Sequence, residues 1–144
     1  MTQKSSSHLM ETSHSFLMQN ERGLYRYLRS RLPQAHWQRF ENAVGMGQPD
    51  VNVAYLHKEV WLELKHGNSV LLQPSQFAWL HQRHNHNPNV YVWQYHVGKE
   101  EHRVLQPPFE GEVCGKSVKV VGVNKKIVNK EVNLIFKNLF YLPT

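Results

Sequence analysis

Hydrophobic and polar residues recur along this chain with two different periods, one of which is helical. Between residues 21 and 32, apolar side chains lie three or four positions apart, which predicts an amphipathic helix. Pro33 ends this helix, because proline disfavours helical backbone at the residue before it. Arg22, Arg26 and Arg29 fall together on another side of the helix. We interpret this basic stripe as a solvent-exposed face of the helix, and we keep binding of phosphates as the less favoured alternative.

Alternation with a period of two predicts strands in the middle of the chain. Two alternating segments lie on either side of a turn at His57 and Lys58, so they pair as a hairpin. Further along, Pro74 opens a second helix, which we expect to fade in the polar stretch from residue 81 to residue 88. The predicted strands are residues 40 to 44, 51 to 55, 60 to 64 and 90 to 95.

Apart from the short strand at residues 40 to 44, the order is helix, strand, strand, helix, strand, which predicts a single α/β domain in which helices flank a mixed β-sheet. We divide the chain into a mobile N-terminal segment (residues 1 to 15), a core domain (16 to 105) and a β-rich C-terminal extension (106 to 144). The extension is predicted to contain a hairpin formed by residues 118 to 121 and 127 to 128. It ends in an apolar tail that fits strand and helix equally, and that either covers the core or makes a dimer contact.

Composition narrows the classes of function. The chain has 144 residues, of which 40% are hydrophobic, and no apolar stretch is long enough to span a bilayer. No apolar signal segment follows the polar N-terminus, and the single cysteine, Cys114, cannot form an internal disulfide. We therefore expect a cytoplasmic protein with no membrane partner. A net charge of +6 favours polyanionic partners, nucleic acid first.

Two carboxylates and one ammonium are predicted to meet at the hairpin. Residues two apart on a strand point to the same face, so Glu63 and Lys65 emerge together. Asp50, at the start of the partner strand, can reach the same point. The two carboxylates and the backbone carbonyl of Leu64 suit a hard cation such as Mg²⁺. Lys65 can then orient a nucleophilic water or stabilise a pentacovalent phosphate.

The pair of Glu63 and Lys65 also fits a simple surface salt bridge on an amphipathic strand, because this spacing is common by chance. Its context favours a functional site. The charges end an apolar run that begins at Val60, and a Gly-x-Gly-x-Pro-Asp loop that ends at Asp50 stands at hairpin distance.

Three segments taken together resemble the PD-(D/E)XK nuclease superfamily. They are residues 47 to 51 (GQPDV), 61 to 65 (WLELK) and 74 to 79 (PSQFAW). Their spacing and the glutamine-bearing helix are similar to the VRR-NUC branch, which includes small stand-alone nucleases found in phages. The resemblance covers about residues 20 to 97 and implies a restriction-endonuclease-like α-β-β-α-β core.

The resemblance also implies a role for each matching residue. Asp50 and Glu63 would be the metal ligands for Mg²⁺, with Mn²⁺ as a substitute, and Lys65 would be the catalytic lysine. Gln76 would line the site from its helix, although an ordinary capping role explains it equally well.

Some members of that superfamily add one more acidic residue to the metal site. Glu21, on the first helix, matches this residue, and Glu41 competes for the role because it lies nearer to Asp50 in the sequence. Glu41 is also explained as an edge-strand carboxylate paired with Arg39, so we favour Glu21.

Basic residues outside the site are candidates for contacts with nucleic acid. His66, next to Lys65, can touch a phosphate or simply end the strand. Lysines recur among valines in the C-terminal extension, where a strand pair can lie along a phosphate backbone. Edge strands also use lysine merely to prevent aggregation. The candidates are Arg22, Arg26, His66, Lys119, Lys125 and Lys126.

These observations converge on one class of enzyme. We predict a Mg²⁺-dependent phosphodiesterase, a DNA endonuclease selective for branched, flapped or nicked structures, and a twofold dimer would suit such substrates. Two alternatives remain open: a non-catalytic nucleic-acid-binding module, and an interaction protein that assembles through its C-terminus. A zinc site formed by the histidines from residue 81 onwards is a weaker hypothesis, because structural zinc sites usually contain cysteines.

Overall fold

The computed structural model of the protein describes residues 19–40 and 46–140. Within these ranges the chain forms three helices and seven strands. In chain order they are α1 (Glu21–Arg31), β1 (His36–Arg39), β2 (Val51–Tyr55), β3 (Lys58–His66), β4 (Leu71–Leu72), α2 (Pro74–His86), β5 (Val90–His96), β6 (Glu101–Cys114), β7 (Ser117–Asn129) and α3 (Val132–Phe140).

The seven strands form one mixed sheet in the order β1-β2-β3-β5-β6-β7-β4. Strands β3 and β5 run parallel, because α2 carries the chain back between them, and the other neighbours are antiparallel. The prediction of a single α/β domain with a mixed sheet and flanking helices is therefore confirmed.

Each face of the sheet carries its own hydrophobic core. On one face, Leu28 of α1 and Phe136 of α3 belong to the same core as Leu62 of β3. On the other face, Leu80 of α2 packs with Val92 of β5. Because successive strand residues point to opposite faces, the odd-numbered residues of β3 lie on the α2 face. This alternation decides where the charged residues of β3 point.

Helix α1 follows the predicted periodicity. Asn20 caps it, since its side-chain oxygen accepts a hydrogen bond of 2.8 Å from the N–H of Gly23. Glu21 lies in the first turn, where a negative charge is favoured by the helix dipole. The buried side of the helix is formed by Leu24, Tyr25 and Leu28.

The sheet cannot be flat, because β4 lies far from β3 in strand order but close to it in sequence. Four residues, 67 to 70, join the two strands, and they span about 17 Å at full extension. Four strand spacings of a flat sheet would separate β3 from β4 by about 19 Å. The β6–β7 pair supplies the curvature through register shifts between Gln106 and Phe109 and between Glu110 and Gly111.

Three predictions of secondary structure were wrong or fall partly outside the described residues. The strand placed at residues 40 to 44 falls mostly on residues 41–45, which are not described, and the strand β1, which the sequence analysis missed, ends just before it at Arg39. The second helix does not fade at residue 81 but continues to His86, because His81 packs inward and hydrogen-bonds Phe109 and Phe77 instead of starting a polar loop. The predicted hairpin of residues 118 to 121 and 127 to 128 is a single strand, β7, whose partner is β6.

The long strand β6 escaped prediction because Pro107 and Pro108 interrupt its pattern, and proline usually argues against a strand. The register shift at this point accommodates both prolines. The apolar tail after residue 131 is a helix, α3, which packs Ile135, Phe136 and Leu139 into the core. In the described part of the chain, no helix has the length and apolar character needed to cross a membrane.

Candidate active site

The β2–β3 hairpin brings Asp50 and Glu63 together. Val51, the first residue of β2, pairs with Leu62 of β3. Asp50, which precedes Val51, therefore lies opposite Glu63, which follows Leu62. The carboxylate of Asp50 accepts a hydrogen bond of 3.1 Å from the N–H of Leu64. This contact fixes Asp50 beside the two residues of β3 that flank Leu64.

Glu63 is the most deeply buried charged group of the site, with 2% of its surface exposed. Its Oε2 atom accepts a hydrogen bond of 3.0 Å from Nε2 of Gln76 and lies 3.5 Å from Nζ of Lys65. Gln76 is itself held, because its Oε1 accepts a hydrogen bond of 2.9 Å from the N–H of Gln73. The structure thus brings Asp50, Glu63, Lys65 and Gln76 into one cluster, in which Gln76 both caps α2 and contacts Glu63.

The negative charge at Glu63 is poorly compensated. Burial, followed by the nearby charge of Asp50, raises the pKa of Glu63 to about 8, and Lys65 offsets only part of this effect. The carboxyl of Asp50 is close enough to share a proton with Glu63 through a hydrogen bond. A proton or a metal cation is therefore needed to stabilise this pair of carboxyls at neutral pH.

The carbonyl of Leu64 points to the side of the sheet where Asp50 lies. The N–H and C=O of one strand residue point the same way, and the N–H of Leu64 points to Asp50. Continuing the β2–β3 register by two residues places Pro49 opposite Leu64, and proline has no N–H to donate. The Leu64 carbonyl therefore has no ladder donor at this position and can serve as a ligand, as the sequence suggested.

Glu21 reaches the edge of the same site. Its side chain is exposed at the start of α1, yet the protein atoms packed around the carboxyl raise its pKa. Lys65, His66 and Arg39 act in the opposite direction on this pKa, and Asp50 raises it further. Interaction with both Lys65 and Asp50 shows that Glu21 lies close to the cluster. The rival residue, Glu41, lies outside the described residues.

The cluster fits a hard divalent cation with few protein ligands. In residues 19–40 and 46–140 there is no group of three or more His, Cys, Asp or Glu side chains arranged to hold a metal. Two carboxyls are nevertheless present, and Oε1 of Glu63 is buried without a hydrogen-bond donor among these residues. An acceptor atom left open beside a second carboxyl suits Mg²⁺, which keeps several waters and binds through one or two carboxylates.

Gly47 shapes the site, and the sequence analysis did not assign it a role. Its φ angle is +78°, and a Cβ atom there would collide with the backbone carbonyl of Ser75, next to Gln76. The loop before Asp50 therefore lies directly against the first turn of α2. A glycine three residues before Asp50 was the available signal, but its contact with α2 is a tertiary feature.

Gln94 is a second residue that the sequence analysis missed. It is buried, lies opposite Lys65 in the parallel β3–β5 register, and donates a hydrogen bond of 2.8 Å to the carbonyl of Gly67. The signal was a polar residue within the apolar segment VYVWQYH. Gln94 continues the polar surface of the cluster from β3 to β5.

The other predicted basic residues lie in different surroundings. His66 stacks on Tyr95, with ring centroids 5.8 Å apart, and points to the face opposite Lys65. Arg22 and Arg26 are exposed on α1. Their suggested contacts with nucleic acid stay predictions.

The lysines of β7 divide into two groups. Lys126 and Lys119 line a groove of about 160 Å³ that also includes Gln94. Lys125 lines a separate cavity of about 580 Å³ near Lys58, at the opposite end of β3. Neighbouring residues of one strand thus face different parts of the surface.

The histidines in the described ranges do not form a metal cluster. His81 serves the fold: its Nε2 accepts a hydrogen bond of 2.9 Å from the N–H of Phe109, and its Nδ1 lies 2.7 Å from the carbonyl of Phe77. His102 accepts a hydrogen bond of 3.0 Å from Nε1 of Trp93. These contacts explain both histidines without zinc.

No family model matches this chain, and no curated protein matches it. Among solved structures, the chain is similar to Hjc, a Holliday junction resolvase from the archaeal hyperthermophile Archaeoglobus fulgidus. The two chains are 16% identical, the likeness covers 67% of this chain and 84% of that chain, and the TM-score is 0.49.

Proposed function

We propose that this protein is a metal-dependent nuclease of the PD-(D/E)XK type that hydrolyses phosphodiester bonds in DNA. The observation that carries the proposal is the convergence of Asp50, Glu63 and Lys65 at the end of one hairpin. Two coupled carboxyls with one ammonium beside them form a site that gains stability by binding a cation.

The residues of the cluster divide the work of the proposed reaction. Asp50, Glu63 and the carbonyl of Leu64 would hold Mg²⁺, or Mn²⁺ in its place. The ion would polarise a phosphate oxygen and acidify a bound water. Gln76 occupies Oε2 of Glu63 and leaves Oε1 for the cation. Lys65 offsets negative charge and can donate a hydrogen bond to an oxygen of the phosphate.

Selectivity for branched, flapped or nicked DNA is the finer part of this proposal. The basic residues around the cluster, such as Arg103 and Lys126, suit contacts with phosphates. Phosphate contacts position a nucleic acid without reading its sequence, so the shape of the substrate would decide which DNA is cleaved. A cytoplasmic location and a twofold dimer belong to the same proposal.

The proposal is tested with labelled linear, nicked, flap and four-way DNA, in Mg²⁺, in Mn²⁺ and in EDTA. We expect cleavage only with a metal ion, and a loss of about 1,000-fold or more in the Asp50→Asn, Glu63→Gln and Lys65→Ala variants. Lys58→Ala, at the other end of β3, is the matched control and should cleave like the unmodified protein. Circular dichroism should show the same fold in all four variants.

Each contrary result points to one of the alternatives. Undiminished cleavage by Asp50→Asn or Glu63→Gln would overturn the assigned site. Binding of DNA without cleavage of any substrate would favour a non-catalytic nucleic-acid-binding module. Concentration-dependent self-association without affinity for DNA would favour an interaction protein.

A further inference from the structure

The groove that contains Gln94, Arg103 and Lys126 begins beside the candidate active site. Cross-strand pairing links its residues in a row: Lys65 lies opposite Gln94, and Gln94 lies opposite Arg103. Paired residues share one face of the sheet, so this row points to the same face as Lys65. Two strand spacings place Arg103 about 10 Å from Lys65 along the row.

A second row leads from the buried carboxyl to Lys126. Glu63 pairs with Val92, Val92 with Leu105, and Leu105 with Lys126. Lys126 therefore lies on the face of Glu63, three strands and about 14 Å away. Both rows show that the sheet itself connects the cluster to the groove.

The curl of the sheet makes this surface a groove. Arg103 and Leu105 of β6, with Gln94 of β5, form the floor. The walls are the β3–β4 connection at residues 68 to 70 and the part of β7 that runs from Lys119 to Lys126. A volume of about 160 Å³ makes the groove narrow. A stiff duplex cannot follow such a depression, whereas a single strand can.

The lining of the groove is cationic. It includes Arg103, Lys119 and Lys126, and none of the described residues that line it is acidic. Cross-strand pairing links Arg103 and Lys126 to the cluster, and Lys119 lies farther along β7, opposite Glu112. Nη2 of Arg103 lies 3.6 Å from Glu101, but its buried Nε has no acceptor among the residues described. Arg103 therefore brings to the lining of the groove a guanidinium with one donor that the described residues leave unsatisfied.

We propose that this groove binds one single strand of nucleic acid, a few nucleotides from the phosphate held at the cluster. The inference rests on the proposed nuclease function for the identity of that strand as substrate. Arg103 and Lys126 hold its phosphates, and the exposed Val121 in the same lining offers an apolar contact. A substrate with a single-stranded segment next to the cleaved bond fits this path better than a continuous duplex.

The chain offers a matched pair of variants for the test. Lys125→Ala and Lys126→Ala remove the same charge from adjacent residues, but only Lys126 lines the groove. Lys126 is exposed, so its replacement leaves the core untouched. Arg103→Gln is the second groove variant and removes the positive charge on the floor of the groove.

Binding is measured by fluorescence anisotropy in EDTA, with a single-stranded oligonucleotide and a duplex of equal length at several salt concentrations. We expect Lys126→Ala and Arg103→Gln each to weaken single-strand binding about fivefold or more. Each should also lower the slope of log K against log salt by about 0.7, the value for one phosphate contact. Lys125→Ala should stay within about twofold of the unmodified protein. The proposed groove would be contradicted if Lys125→Ala and Lys126→Ala lost the same affinity for the single strand. It would also be contradicted if the groove variants lost as much affinity for the duplex as for the single strand.

A second measurement separates this inference from the proposed function. With bis(p-nitrophenyl) phosphate as a minimal phosphodiester, cleavage by the unmodified protein reports the nuclease by itself, and the KM for DNA with a single-stranded tail should rise in the groove variants. If the unmodified protein cleaves and the groove variants have an unchanged KM for tailed DNA, the proposed binding of a single strand in the groove is wrong, and the nuclease function still stands. Selective loss of single-strand binding in a protein that cleaves nothing would support the groove and contradict the nuclease.

Discussion

The two ends of β3 carry different kinds of polar surface. At its first residue, Lys58 borders a cavity of about 580 Å³ that is also lined by Lys125, His84 and several amide side chains. At its far end, Glu63 is buried next to Asp50, and Lys65 lies 3.5 Å from it. The cavity at Lys58 is open, and its charged lining residues are all basic. The cluster at Glu63 instead brings carboxyls and an ammonium together.

This difference shows that burial of charge, and not the size of a cavity, marks the candidate active site. The cations at the first end border an open cavity where solvent screens their charge, which costs little free energy. The carboxyl of Glu63 has lost its water and faces a second carboxyl, and its raised pKa records that cost. Changes in pH and substitutions at the cluster should therefore have effects that changes at Lys58 do not have.

The largest effect is expected in the stability of the metal-free protein. The pKa of Glu63 is about 8 in the folded chain and 4.5 as the reference value for an exposed carboxyl, so between these pH values the folded state holds a proton that the unfolded state releases. The free energy of unfolding should therefore fall as pH rises from about 4.5 to about 8, by on the order of a few kcal/mol. Urea denaturation in EDTA at several pH values measures this fall.

Glu63→Gln should remove this pH dependence, because its amide has no proton to lose in this range. Lys58→Ala, at the opposite end of β3, should leave the dependence unchanged. If the unmodified protein and Glu63→Gln give parallel curves of stability against pH, the strained carboxyl pair does not exist.

Gly47→Ala should cost about 2 kcal/mol or more of unfolding free energy, because it combines a positive φ angle with a collision against the carbonyl of Ser75. Gly115→Ala is its matched control: Gly115 also has a positive φ, of +63°, but a Cβ there would meet no atom within 4 Å. The control should cost about 1 kcal/mol, the backbone penalty alone. Thermal denaturation of the two variants gives the comparison, and equal losses would contradict a tight contact between Gly47 and α2.

Gln76→Ala should give the smallest of these effects, a fall of about tenfold in metal-dependent cleavage, because Gln76 orients Glu63 but is not proposed to touch the metal or the phosphate. The cleavage rate of Gln76→Ala should be reduced mainly at low Mg²⁺ concentration. Gln82→Ala, on the exposed side of the same helix, controls for general effects on α2. Identical titrations with Mg²⁺ for both variants would show that the contact of Gln76 with Glu63 has no functional role.

The elements around the site could largely be predicted because their signals are local. Alternation defined β2 and β3, and the turn between them forced the pairing that sets Asp50 beside Glu63. The proline and the residues after it defined the start of α2, which carries Gln76. The periodicity of the sequence did not predict β6, because long-range pairing outweighed the local preference of its residues. The two prolines of β6 are accommodated by the register shift in its pairing with β7.

The residues alone thus determined a mixed α/β fold and a hairpin that ends in two carboxylates and a lysine. Folding alone buries Glu63, brings Gln76 into contact with it and places Gly47 against α2. It also decided that β4 pairs with β7, which turns separate lysines into the lining of a groove. The physical reason is that periodicity depends on neighbours along the chain, whereas burial, pKa and cross-strand rows depend on residues that only folding brings together.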